Sequence, residues 1–269
     1  MSEDPAPRPA EHVQALERGL AVLRAFDAAS PKLTMTDIAR RTGMSKAAAR
    51  RFLLTLVEVG YADFDGRSYS LRPRVLEIGR SYLSSLRLPD RALPHLEWLA
   101  ASVRETASVT VLDGSDIVYV ARVQGFRIMS VSIDIGTRLP ALVTSTGRVL
   151  LSAWPQEDLQ ALVETTPVQR MTRHTIVSPS RLLQELERTR QRGWALTDQE
   201  MEEGLRSIAV PVRAGDGTVV AAINVSAHSS RASADDLRRD VLPLLLTAAA
   251  RTEAALAIDG APPPASAGS

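Results

Sequence analysis

The chain has 269 residues, a nearly balanced charge of 32 Lys+Arg against 31 Asp+Glu, and no cysteine. That length suits two domains, or one large domain with an appendage, and the missing thiols exclude a disulfide framework, a thiolate metal site and a cysteine nucleophile. The longest apolar run, VLPLLLTAAA (241–250), falls short of the ~20 residues of a membrane span, and the opening MSEDPAPRPAEH lacks the apolar core of a secretory signal; a cytoplasmic protein that keeps away from membranes is expected.

Both ends lack periodicity. Residues 1–12 and the tail 259–269 read as disordered. From Val13, apolar residues recur at 13, 16, 20, 23 and 26, which is helical spacing. Thr36 reads as the N-cap of a short helix that buries Ile38 and Ala39. Gly43 fits the left-handed residue that ends such a helix, and Ser45 caps the next one. That second helix sets Ala49, Phe52, Leu53 and Leu56 on one face. Two strand-like runs follow around Asp65-Gly66, a strong signal for a two-residue hairpin turn. Pro73 opens a connecting helix that ends near Pro89.

The texture changes from residue 90. A helical stretch (91–104) gives way to strands ASVTVLD and DIVYVARV about a second Asp-Gly turn (113–114), with IMSVSID (128–134) as a third strand. Helices are expected near 146–153, 156–164 and 179–192, strands at 194–197, 206–212 and 218–226, and a closing helix at 233–257. The resulting reading is α+β with an antiparallel sheet: a winged helix-turn-helix domain over 13–72, a linker helix over 73–89 and a second domain over 90–258.

The stretch 36–56 places Arg40, Arg41, Lys46, Arg50 and Arg51 against a single acid, Asp37. In a nearly neutral chain this is a local feature. Two short helices joined at a glycine and followed by a hairpin form a winged helix-turn-helix. Its packed face leaves Ser45, Lys46, Ala47, Arg50 and Arg51 outside, where small alanines admit a duplex and arginines reach phosphate or guanine. Thr36 and Arg40 join this surface, and Arg67 beside the hairpin tip can meet the minor groove or the backbone. The bland alternative is a solvated basic face; the coincidence of cluster, caps and wing favours double-stranded DNA. Because one helix reads only a few base pairs, a homodimer or tetramer is expected.

LERGLAVLRAF and LTMTDIARRTGMSKAAARRFLLTLVEVGY resemble the DNA-binding domain of the IclR family of bacterial transcription regulators. KAAARRFLLTL resembles its PcaR/PcaU/PobR branch, which governs aromatic-acid catabolism. IVYVARV, SVSIDIGTRLPA, TSTGRVLLS and EGLRSIAVPV extend the resemblance through residues 13–257. It implies a GAF-like effector domain, homo-oligomers and control by a small organic acid.

The residues themselves offer a seat for such a ligand. Thr144-Ser145-Thr146-Gly147 precedes an apolar helical run, and a helix start suits a carboxylate, although these residues serve equally as a plain cap. Asn224 and Ser226 share one face of a strand, where a wet strand edge is the alternative. Ser207 follows the acidic stretch DQEMEEG, and Leu142, Val143 and Leu205 would exclude water. The resemblance implies effector contacts at Ser145, Thr146, Ser207, Asn224 and Ser226, and an acidic contact nearest Asp198, with Thr197 the strict collinear match. Where the branch often reads PAYATSMGR, this chain has PALVTSTGR; the resemblance carries over the site but does not fix the particular ligand. The effector set is thus Leu142, Ser145, Thr146, Gly147, Asp198, Leu205, Ser207, Asn224 and Ser226. A hydroxybenzoate-type acid is the first choice and a keto or dicarboxylic acid the alternative. Arg122, Arg127 and Arg138 are further carboxylate partners, with surface ion pairs or dimer contacts their commoner use.

An enzyme would need a catalytic constellation. His12, His95, His174 and His228 have no metal spacing, and no P-loop, G-x-G-x-x-G after a strand or G-x-S-x-G elbow occurs. Glu200, Glu202 and Glu203 read as a solvated turn. No catalytic residue, metal or cofactor is expected.

Overall fold

The structure is a computed structural model that describes residues 12–27, 29–85, 87–125 and 133–260. Two compact units divide the chain, one ending at Ser85 and one beginning at Leu86.

The first unit begins with α1 (Gln14–Arg24). Its buried residue is Val22, whereas Val13, Leu16 and Leu20 are 62%, 64% and 42% exposed. The apolar stripe foreseen at 13, 16 and 20 therefore faces away from the core of this chain. A short strand β1 (Lys32–Leu33) leads into α2 (Met35–Thr42). Thr34, not Thr36, caps α2: its hydroxyl accepts from Asp37 N–H at 3.3 Å while the Asp37 carboxylate accepts from Thr34 N–H at 3.2 Å. The sequence LTMTD offers two threonines, and only the first has Asp37 three residues on, the spacing a reciprocal cap requires. Gly43 ends α2 at φ +66°, in the region that penalises a Cβ. Ser45 caps α3 (Lys46–Glu58), accepting from Ala48 N–H at 3.2 Å. Ile38, Ala39, Ala49 and Leu53 form the core with Phe52 and Leu56 partly buried against it.

Strands β2 (Ala62–Phe64) and β3 (Tyr69–Leu71) make the wing, and β1 joins it in the order β1-β3-β2. The Asp65-Gly66 pair predicts a two-residue turn; the loop has four residues because Phe64 pairs with Tyr69. Asp65 Oδ1 closes it by accepting from Arg67 and Ser68 N–H at 3.1 and 2.9 Å, the local bonding that suits Asp to turns. A 3₁₀ turn (Pro73–Val75) precedes α4 (Leu76–Ser85).

The second unit opens with α5 (Arg87–Val103). Pro89 lies in its first turn instead of ending a helix there, since a missing N–H costs nothing at that position. A six-stranded antiparallel sheet follows, in the order β6-β5-β4-β9-β8-β7. Its strands are β4 (Thr106–Asp113), β5 (Asp116–Val123), β6 (Arg138–Pro140), β7 (Ala195–Asp198), β8 (Leu205–Arg213) and β9 (Val219–His228). β6 is not apparent in the sequence pattern, and the strand foreseen at 128–134, together with Arg127, falls mostly outside the described residues.

Helices α6 (Ser145–Leu151), α7 (Gln156–Thr165) and α8 (Pro179–Arg192) cover one face of the sheet. Leu150, Leu151, Leu159, Leu182 and Leu186 pack there on Ile117, Ala195, Ala209 and Ala222. Strand alternation leaves Ile208, Val210, Ile223 and Val225 for the other face, where α5 and the closing helix α10 pack. The helix foreseen at 233–257 is three pieces: a short α9 (Ala234–Asp236), a π turn (Leu237–Val241) and α10 (Leu242–Gly260). Among the described residues no helix is long and apolar enough to cross a membrane.

Candidate functional site

On the α6 side, the small residues Ala195, Ala209 and Ala222 let the helices approach the sheet closely. One strand step along, the same face turns polar: Thr197, Ser207, Asn224 and, on β4, Ser108. A cavity of about 280 Å³ opens above them. Gly147 makes that geometry possible, because a Cβ there would lie 2.1 Å from the Ala141 carbonyl oxygen.

The cavity floor is one hydrogen-bonded cluster. Ser145 and Ser207 hydroxyls are 2.8 Å apart, and Asn224 Nδ2 donates to Ser207 and Ser226 hydroxyls at 2.8 and 2.9 Å. Ser226 Oγ donates to Ser207 Oγ at 3.1 Å. Asn224 is 4% exposed, and its Oδ1 has no partner among the described residues; a buried acceptor in that state calls for a donor. Ile133, Leu139, Val143, Met201 and Leu205 make the apolar part of the walls, and Glu202, Glu203 and His228 line the rim. Glu202 and Glu203 thus border the cavity and are not a merely solvated turn; Glu203 is paired with Arg173. Tyr119 adds a phenol whose pKa burial pushes up to about 12, so it stays neutral.

Six of the nine foreseen effector residues line this cavity: Ser145, Thr146, Leu205, Ser207, Asn224 and Ser226. Three do not. Asp198 points to the opposite side of β7, where Arg206 Nε donates to it at 2.7 Å, and the collinear Thr197 lines the cavity instead. Leu142 is buried and gives its carbonyl to Arg148 Nε at 3.0 Å. Gly147 sits behind the wall, and its N–H is taken by Thr144 Oγ1 at 3.1 Å. The helix start therefore keeps only the N–H groups of Ser145 and Thr146. Ser145 and Asn224 meet at one cluster, both bonded to the Ser207 hydroxyl.

The charged groups also differ from the expectation. Glu200 is not part of a solvated turn. It is 6% exposed and accepts from Arg148 Nη1 and Nη2 at 2.7 and 2.6 Å. Arg138 is held by Asp113 and Asp116 away from the cavity. Two arginines line the cavity. Arg231 holds Glu105 through two bonds of 2.9 and 2.7 Å. Arg122 donates to the Ile133 carbonyl and has no ion pair among the described residues. Ser108, Tyr119 and Arg231 escaped the sequence reading because only strand register brings them here.

In the first unit, Thr36, Arg40, Ser45, Lys46, Ala47, Arg50, Arg51 and Arg67 are all exposed. Arg40 is paired with Asp37 at 2.9 Å, and Arg41 is tied to Asp27, Ser30 and the Ala25 carbonyl. Lys46, Arg50, Arg51 and Arg67 have no ion pair among the described residues. They are cations without an internal use.

A winged helix-turn-helix joined in one chain to a domain with a ligand-sized cavity defines a ligand-responsive DNA-binding regulator. The IclR helix-turn-helix domain matches residues 15–66, and the bacterial transcriptional regulator IclR C-terminal domain matches residues 80–254. The chain belongs to the IclR family of transcriptional regulators. It is 42% identical over 239 residues to the Pca regulon regulatory protein of Pseudomonas putida, covering 88% of this chain and 82% of that one. A crystal structure of a putative transcriptional regulator from Rhodococcus sp. RHA1 is 50% identical, with a TM-score of 0.81 over 91% of this chain and 98% of that one. The inducer binding domain of a PobR double mutant from Acinetobacter, in complex with 3-hydroxybenzoic acid, is 36% identical. Its TM-score is 0.59, over 61% of this chain and 97% of that one.

Proposed function

We propose that this regulator answers to an aromatic hydroxy acid of the hydroxybenzoate type, bound in the cavity beneath α6. The observation that carries the reading is the cavity itself: a polar cluster with a spare buried acceptor at Asn224, facing apolar walls wide enough for a ring. A few placed polar groups in an apolar cleft are the usual form of a small-molecule site. The inducer seen in the PobR relative supports the same class. A keto acid would leave Ile133, Leu139 and Val143 without contact, which disfavours the aliphatic alternative.

Duplex operator DNA is assigned to the α3 face, with Lys46, Arg50 and Arg51 as its charge and Ser45 and Ala47 as its close-approach surface. Arg67 serves the wing. Thr36 and Arg40 are peripheral, since Arg40 already has Asp37. A dimer or tetramer is supported by the outward stripe Val13, Leu16 and Leu20 and by Leu76 and Tyr82, which are 74% and 52% exposed; apolar patches of this kind mark protein contacts.

The test is calorimetry of the full chain with 3-hydroxybenzoate, 4-hydroxybenzoate and pyruvate. Saturable heat with a hydroxybenzoate and none with pyruvate is expected. Binding of pyruvate with silence from both aromatic acids overturns the reading.

A further inference from the structure

Charge neutralisation separates the arginines of the second unit into two kinds. Arg148, Arg206 and Arg231 each hold an internal carboxylate: Glu200, Asp198 and Glu105. Arg122 lines the cavity from β5 and is matched by none among the described residues. A partly buried guanidinium without a counter-ion is costly unless an anion completes it. The neighbouring phenol of Tyr119 stays neutral and supplies none. Across the sheet, Arg122 pairs in register with Ser108, and Ser108 with Asn224. The cation and the spare acceptor therefore stand one strand apart on each side of Ser108, with Ile133, Leu139 and Val143 among the apolar walls of the same cavity.

We infer that Arg122 is the effector's charge receptor: the ligand carboxylate pairs with its guanidinium while the ring hydroxyl donates to Asn224 Oδ1. This reverses the orientation that the α6 start alone suggests, and it rests on the aromatic-acid reading of the cavity. The floor offers an acceptor that a carboxylate would repel and a hydroxyl would satisfy. The β5 side offers a full positive charge, whereas the start of α6 offers two N–H groups. A ligand needs both of its ends, acid and hydroxyl, to use the site fully. Sites built to bond a hydroxyl reject analogues that lack it far more strongly than apolar pockets reject a missing methylene.

Three probes separate the ends: 4-hydroxybenzoate, benzoate and 4-hydroxybenzyl alcohol, titrated calorimetrically into the full chain. Wild type is expected to bind 4-hydroxybenzoate most tightly. Arg122→Gln should weaken 4-hydroxybenzoate and benzoate by about tenfold or more, the scale of a hydrogen bond to a charged group, and leave the alcohol unchanged. Arg122→Lys keeps the charge without the fork and should fall between the two; it also serves if the Gln variant does not fold. Asn224→Leu should cost the two hydroxylated probes and spare benzoate. If wild type binds 4-hydroxybenzoate and Arg122→Gln binds all three probes like wild type, or loses all three equally, the assignment of Arg122 falls while the aromatic reading stands. If wild type binds none of the three, the aromatic reading fails and the orientation with it.

Discussion

Arg50 and Arg51 on α3 stand in solvent with no carboxylate partner among the described residues, whereas Arg148 in α6 is 1% exposed and grips Glu200 with both ends of its fork. The same residue type does opposite work in the two units. In the second unit, arginines are architecture: Arg148 ties α6 to the loop after β7, and Arg206 pins the turn after β9 through the Ser229 and Ala232 carbonyls at 3.0 and 2.9 Å. In the first, Arg40 and Arg41 are likewise paired, but Arg50 and Arg51 on α3 are left unneutralised on a small-residue surface, the condition in which they gain most from a polyanion. Arg122 belongs by position to the second group and by pairing to the first.

Breaking the architectural use should have the largest effect. Arg148→Ala leaves Glu200 buried without its counter-ion, a change that typically costs about 3–5 kcal/mol. All three tryptophans, Trp98, Trp154 and Trp194, lie in the second unit, so tryptophan fluorescence reports on that unit alone. A clear fall of its melting temperature is expected. Unchanged melting would mean that the pair contributes no net stability and that close packing alone holds α6.

Reversing the logic on α3 predicts a loss of binding without a loss of stability. Arg50→Ala should weaken specific operator binding by about 1–3 kcal/mol if its fork meets a base, or lower the salt slope by about one if it meets a phosphate. Far-UV melting should not move. A folded variant with unaltered gel-shift affinity and salt slope removes Arg50 from the interface.

These two tests also mark what the sequence disclosed. The helix-turn-helix was legible because its signals are local: Gly43 and Ser45 sit within a few residues of what they terminate and cap. Helix α8 and strand β5 match their foreseen ranges for the same reason, since periodicity is written along the chain. The cavity was legible where alternation on one strand sufficed, as for Asn224 and Ser226, and where the family resemblance supplied the positions, as for Ser145, Thr146 and Ser207. Arg122 is already a candidate in the sequence, but Ser108 and Arg231 arrive from β4 and the turn beyond β9, and the register of β4 against β9, strands far apart in sequence, is not written in either one. Asp198 against Thr197 shows the limit from the other side. A one-residue ambiguity in a strand exchanges the two faces of the sheet, and there the charged residue took the outer face, where Arg206 could meet it.

A smaller effect distinguishes the two threonines at the start of α2. Thr34→Ala removes the reciprocal cap with Asp37 and should cost about 1 kcal/mol. Thr36→Ala, on the exposed side of the first turn, should cost little or nothing in stability. Urea unfolding followed by circular dichroism separates them. Equal losses would show that the first turn needs both hydroxyls.

The smallest effect concerns acid. Asp236 closes the cap before α10: its carboxylate accepts from the Ser233 hydroxyl at 2.7 Å, from Ser233 N–H at 2.9 Å and from Arg239 at 2.7 Å. The Ser233 hydroxyl and N–H, then Arg239, lower its pKa from 3.8 to about 2. A carboxyl whose pKa is depressed on folding binds its proton less readily in the folded chain than in the unfolded one. Its contribution is therefore complete above pH 3.8 and is lost as the pH falls through about 2. Asp236 is half-exposed at a helix start, so solvent and salt keep the effect small. Asp236→Asn should lower the melting temperature slightly near neutrality and flatten its decline between about pH 4 and pH 2. Tryptophan fluorescence melts across that range provide the measurement, and added salt should narrow the difference between variant and wild type. A variant whose acid limb keeps the wild-type slope would show that the carboxylate's partners are matched by equivalent bonds in the unfolded chain. The ion pairs around α10 would then be surface decoration, unlike the buried grip of Arg148 on Glu200.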